Sequence, residues 1–319
     1  MMLKKTYAGI DLGSNSCKLL ICDETGKHLC LKNWQTRLAE GMYEHNKITK
    51  EAFERGQQCF FEYRQLLDKY DVSPQNMRAI TTAACRTAEN GAEFVKTIFN
   101  ESGIKLEIID GLEEAKLNLK GAIEHVVGKS KYVVVYDLGG GSTEVTLATN
   151  KKKPEIIYSV SIPWGARTAS EAYQLVEYDE KQADSLRAEV DQYMDKFLKE
   201  ADLDHCEDVC FVATSSTPLR LVSMIHQFDK YDREKADGLV INKTQMDKAI
   251  EKLFHSSRKK LSANPYVGDK RSYIFIAACV IFQQIYKRLG LEELTASLKS
   301  AKDGIVAELI ERDKNAKVD

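Results

Sequence analysis

The sequence predicts an α/β protein of two lobes, each a mixed sheet covered by helices, with a ligand cleft between them. Three observations carry that expectation. The segment Asp11-Leu12-Gly13-Ser14-Asn15-Ser16 returns 126 residues later as Asp137-Leu138-Gly139-Gly140-Gly141-Ser142, so one unit occurs twice. Each copy follows an apolar run (7–10 and 132–136) and precedes another (19–22 and 145–148), the pattern of strand, tight turn, strand. Strands then alternate with helical patterns, which implies sheets covered by helices, and two such lobes facing each other form a natural cleft.

The elements follow in order. After the first hairpin the pattern predicts a strand at 28–34 and a helix at 50–69, with Phe53, Phe60, Phe61 and Leu67 on roughly one face. A strand at 78–82, a helix through Phe94 and Ile98, a strand at 105–109 and a helix from Leu112 to about Val126 complete the first lobe. The second lobe reads as strands at 131–136, 145–148 and 155–161, a helix at 181–199, a strand at 209–214 and further helices to about Leu309, the one at 277–289 buried. With five prolines and no low-complexity stretch, no flexible linker is expected. The division is placed at 1–122 and 123–319, with the hinge near 121–131.

Composition bounds the class. In 319 residues, 43% hydrophobic and 29% charged is the balance of a soluble globular protein. The formal charge of −2 excludes a globally basic nucleic-acid binder, and Lys151-Lys152-Lys153 and Arg258-Lys259-Lys260 read as solvated faces. No apolar run reaches membrane-spanning length, and the basic start lacks a secretory signal. No nucleic-acid or membrane partner and a cytoplasmic address are therefore expected. Eight cysteines without a CxxC pair read as reduced thiols. His205, Cys206 and Cys210 lack a second ligand cluster at zinc spacing.

The repeated hairpins carry the chemistry. A glycine bend lets backbone N–H groups approach an anion with no side chain in the way. Gly139-Gly140-Gly141 is richer than a structural turn needs, and Ser142 and Thr143 add hydroxyl donors. Asp11 and Asp137 end the strands entering the two bends, and Glu144 lies seven residues beyond Asp137. Carboxylates repel phosphate, so their presence implies an intervening cation, and hard oxygen ligands suit Mg²⁺. The competing reading is an aspartate that caps its own turn.

At these residues the sequence resembles the exopolyphosphatase and guanosine pentaphosphate phosphohydrolase (Ppx/GppA) family, a branch of the superfamily of actin and the sugar kinases. The stretch 8–16 is similar to the family's first phosphate hairpin and 137–144 to its second. Stretches 81–90, 111–117 and Gly165-Ala166-Arg167-Thr168 match further family segments. The resemblance implies two ribonuclease-H-like, actin-like lobes and release of terminal orthophosphate from polyphosphate or guanosine pentaphosphate. It implies that Glu114 activates the attacking water and that Arg86 meets the substrate's charge. Gly13, Ser14, Asn15, Ser16, Gly139, Gly140, Gly141, Ser142 and Thr143 would hold phosphates, and Asp11, Asp137 and Glu144 would hold Mg²⁺ or Mn²⁺. On the residues alone, Glu113-Glu114 near a helix start reads as an exposed pair favoured by the helix dipole.

Two departures stand out: Thr214-Ser215-Ser216-Thr217 where the family usually carries Ser-Gly-Thr, and Lys302 where arginine is common. Larger members continue into a helical C-terminal domain, so reduced processivity on long chains is expected. A homodimer is the assembly considered. A small-molecule kinase would need an adenosine pocket and a substrate-facing base, neither identified, and an alarmone-binding regulator would not need Asp137, Glu144 and Glu114 together.

Overall fold

The computed structural model describes residues 5–316, which form two compact units. The first comprises the chain up to Gly121 together with the residues from Ala301 on, and the second runs Ala122–Ser300. The final helix, Ala301–Asn315, thus belongs to the first unit, whereas the sequence division placed it in the second. The cause is apolar: Ile305, Val306, Leu309 and Ile310 cover a sheet face made by Tyr7, Leu20, Cys22 and Ile80.

The first unit holds β1 (Thr6–Leu12), β2 (Cys17–Asp23), β3 (His28–Trp34), β4 (Met77–Thr81) and β5 (Leu106–Ile108) in the order β3-β2-β1-β4-β5. β1, β2 and β3 pair antiparallel, while β4 joins β1 and β5 joins β4 in parallel. Side chains alternate across a strand. Ala8, Ile10 and Leu12 therefore face the helices Lys50–Lys69 and Gly91–Ser102 through Phe60, Tyr63, Phe94 and Ile98, and Tyr7 faces the final helix. Gly9 is small for a packing reason: a Cβ there would lie 2.5 Å from the Lys302 carbonyl oxygen.

The second unit repeats the motif with β6 (Tyr132–Leu138), β7 (Thr143–Thr149), β8 (Ile156–Ile162), β9 (Val209–Thr214), β10 (Val240–Asn242) and β11 (Glu293–Ser297), ordered β10-β11-β9-β6-β7-β8. Its core is built around the helix Phe275–Arg288, nearly all of whose side chains are buried, packed on the helices Glu180–Ala201 and Ala166–Ala172. In the helix Lys50–Lys69, Phe60 and Leu67 are buried, but Phe61 is exposed, because adjacent helical residues point about 100° apart. All eight cysteines are free thiols. Among the described residues no helix is long and apolar enough to cross a membrane.

Candidate functional site

The two hairpins close with the same backbone bond at the 126-residue offset, and each is tied down through carbonyls of its bend. Gly13 N–H donates to the Ser16 carbonyl at 3.0 Å and Gly139 N–H to the Ser142 carbonyl at 3.0 Å, closing each bend. The carbonyls of Ser14 and Asn15 accept from Ala39 and Arg37 N–H, and those of Gly139 and Gly140 from Ala166 and Arg167 N–H. In a trans peptide the N–H points opposite to the C=O, and none here is cis. Carbonyls turned inward therefore turn the N–H groups of Asn15 and Ser16, and of Gly140 and Gly141, the other way. Successive N–H groups turned out of a tight bend are the arrangement by which backbone receives an anion.

The arrangement does not depend on left-handed backbone. The glycines with positive φ lie at 26, 41, 103, 128, 238, 268 and 290, all outside the hairpins, so Gly140 is not there to supply positive φ. A close approach falls on Gly165, whose Cβ would stand 2.6 Å from Gly140 C and Gly141 N. The Thr143 hydroxyl donates to the Trp164 carbonyl at 2.8 Å, so its single proton is spent within the fold.

The carboxylates differ between the copies. Asp137 and Glu144 are directly opposed across β6 and β7, so both project from one face of the sheet, and Ser161 Oγ donates to Glu144 Oε1 at 2.9 Å. In the first copy the position opposite Asp11 is Lys18, whose Nζ lies 3.3 Å from Asp11 Oδ2. Asp11 thus has a built-in cation where the second copy presents a second carboxylate. Among the described residues no three His, Cys, Asp or Glu side chains converge. The pair of half-buried Asp137 and buried Glu144 suits a cation that keeps most of its water and takes few protein ligands, which is how Mg²⁺ binds.

In the first unit, the helix Gly111–Ala122 begins at Asp110, whose Oδ1 accepts from Glu113 N–H at 2.8 Å. The first turn separates the two glutamates. Glu113 pairs with Arg78 at 3.0 Å, inside a network that includes Glu107 and Glu308. Glu114 is buried with Oε2 3.8 Å from Arg86 Nη1, and Arg86 is itself fixed by a 2.6 Å bond to the Ile109 carbonyl.

Three features escaped sequence reading. Lys18 could have been found by laying one copy over the other, since it stands where Glu144 does. Arg220 and Arg271 leave no such signal because they are far apart in sequence. Arg220 lies over the Tyr231 ring at 3.9 Å and donates to the Val267 carbonyl at 3.0 Å. Arg271 is half-buried, its Nε has no hydrogen-bond partner, and its side chain meets no carboxylate among the described residues. Burial, with the charges of Arg220 and Arg167 adding to it, pushes its pKa down to about 10. Ser215 adopts φ 87°, ψ −170° at the start of the helix Ser216–Ile225, a region used almost only by glycine.

The model of the Ppx/GppA phosphatase family matches residues 22–313. The chain belongs to the Ppx/GppA phosphatase family. Its fold is shared with an exopolyphosphatase from Cytophaga hutchinsonii, at a TM-score of 0.86 and 23% identity over 97% of this chain and 98% of that one. A Ppx/GppA family member from Aquifex aeolicus gives a TM-score of 0.75 at 23% identity, covering 97% and 99% respectively. The bifunctional 3-dehydroquinate synthase/phosphatase of Fusobacterium nucleatum is 26% identical over 95% of this chain, which spans 46% of that relative's length.

Proposed function

We propose that this chain is a metal-dependent phosphohydrolase that releases terminal orthophosphate from inorganic polyphosphate or guanosine pentaphosphate. The observation that carries the reading is the pair of hairpins whose carbonyls are tied inward, so that both units offer backbone N–H donors to an anion. Exopolyphosphatases among the structural relatives support the same substrate class. The uncompensated Arg271 beside Arg220 adds a second attraction for a polyanion.

The chemistry follows from positions. The cradles hold phosphate oxygens, and donors fixed before substrate arrives stabilise charge in the transition state without reorganising. Glu114 accepts the proton of the attacking water, and Arg86, held by the Ile109 carbonyl, stands where it can offset negative charge. Asp137 and Glu144 would hold Mg²⁺ or Mn²⁺, which when bound neutralises phosphoryl oxygens.

Orthophosphate release from tripolyphosphate and from guanosine pentaphosphate, with Mg²⁺ and with excess chelator, tests this. Release should require the metal and should fall about 10²- to 10⁴-fold in Glu114→Gln, the range of a lost general base. Full activity in chelator removes the metal from the reading, and an unimpaired Glu114→Gln removes the base. Binding without turnover would make the chain a regulator.

A further inference from the structure

The stretch Gly165-Ala166-Arg167-Thr168 has no part in the chemistry above, yet it is bonded to the second hairpin at every carbonyl of the glycine run. Ala166 N–H donates to Gly139 O at 2.9 Å, and Arg167 and Thr168 N–H donate to Gly140 O at 2.8 and 3.2 Å. Thr168 Oγ1 accepts from Gly165 N–H at 3.0 Å, and its one proton faces two carbonyls, Gly141 O at 3.2 Å and Gly165 O at 3.4 Å, of which Gly141 is the nearer. The first amides of the helix Ala166–Ala172 are therefore occupied by the hairpin.

Each bond fixes one peptide, and each peptide carries one outward N–H: Gly140 through Ala166, Gly141 through Arg167, Ser142 through Thr168. The first copy holds the equivalent carbonyls, Ser14 and Asn15, with backbone N–H groups alone. In the second copy the last of them, Gly141, is held by a side chain. Resting on the phosphate-binding reading above, we propose that Thr168 is a positioning residue that presets the Gly141–Ser142 peptide so that the Ser142 N–H faces the anion. Gly165 lets the strap lie flat on the hairpin, because a Cβ there would be 2.7 Å from Ser142 N.

Calorimetric titration of the full chain with tripolyphosphate and Mg²⁺ tests the assignment in wild type, Thr168→Val and Thr168→Ser. Valine keeps the shape and loses the hydroxyl with its contacts to Gly141 and Gly165, and affinity should fall roughly 3- to 10-fold, the effect of one neutral hydrogen bond. Serine should bind within about twofold of wild type because the hydroxyl remains. In turnover the valine loss should appear in KM more than in kcat, as a cradle used in ground and transition states requires. Should the valine variant fail to fold, Ala166→Pro deletes the neighbouring bond at a first helical position, where proline is tolerated, and should weaken binding comparably. A valine variant that binds like wild type, or a serine variant as weak as valine, overturns the proposal. Wild type that does not bind tripolyphosphate overturns the phosphate reading itself.

Discussion

At Ser215 a hydroxyl-bearing residue sits in backbone space that costs it about 1–3 kcal/mol, beside Thr214, which pairs with Asp137 in the sheet. Ser215→Gly should relieve that strain and return about 0.5–1 kcal/mol of it as unfolded-chain entropy. The expected net is a gain of roughly 1 kcal/mol, read as a raised urea midpoint with unchanged slope; an unchanged or lowered midpoint contradicts the strain. Arg271 is the opposite case, a charge with no carboxylate. Arg271→Met should raise the melting temperature of the free protein and weaken tripolyphosphate binding about tenfold or more, since a hydrogen bond to a charged group is worth about 1.5–3 kcal/mol. A variant that lost stability while keeping affinity would make this arginine structural. The two glutamates illustrate what residue type alone leaves open. Glu113 and Glu114 are chemically identical, and only the helix register, which gives one to Arg78 and the other to Arg86, separates them.

Among the elements, the final helix is fastened to β1 by groups that titrate at opposite ends of the scale. Asp313 accepts from Lys5, Arg312 and Tyr7, the last at 2.9 Å. The hydrogen bond from Lys5 leads the effects that hold its carboxyl down to about 2 from 3.8, so its stabilisation is present above pH ~4 and is lost as pH falls toward 2. Burial pushes the Tyr7 phenol up to about 12 from 10.0. Its contribution is complete below pH ~10 and disappears as pH rises through 12. Amide exchange along Ala301–Asn315 should accelerate at both extremes beyond the intrinsic pH effect, and Asp313→Asn should remove the acid limb and shrink the alkaline one, since Asp313 also raises the Tyr7 phenol. The strands and long helices were legible in the sequence because each buries a periodic apolar face, as in Cys59, Phe60, Tyr63 and Leu67 of Lys50–Lys69. The placement of the final helix was not, because its partner strands lie at the other end of the chain.

For the molecule as a whole, what the sequence made visible of the site was its duplicated backbone, since Gly13 and Gly139 mark the same turn. It could not show which peptide groups face outward, because the straps that decide this, 37–39 and 165–168, resemble each other in bonding and not in sequence. If both cradles bind, tripolyphosphate with Mg²⁺ should stabilise the native state by about 2.7 kcal/mol at a hundredfold excess over Kd, seen as a concentration-dependent melting temperature. The chain leaves the first unit at Gly121 and re-enters it at Ala301. During synthesis, which runs from the N-terminus, the second unit is therefore complete before the first. The face of Tyr7, Leu20, Cys22 and Ile80 waits bare on the ribosome until the last helix emerges. A chain stopped at Ser300 would keep that face open, a ready docking place for chaperones and a reason for nascent copies to stick to one another.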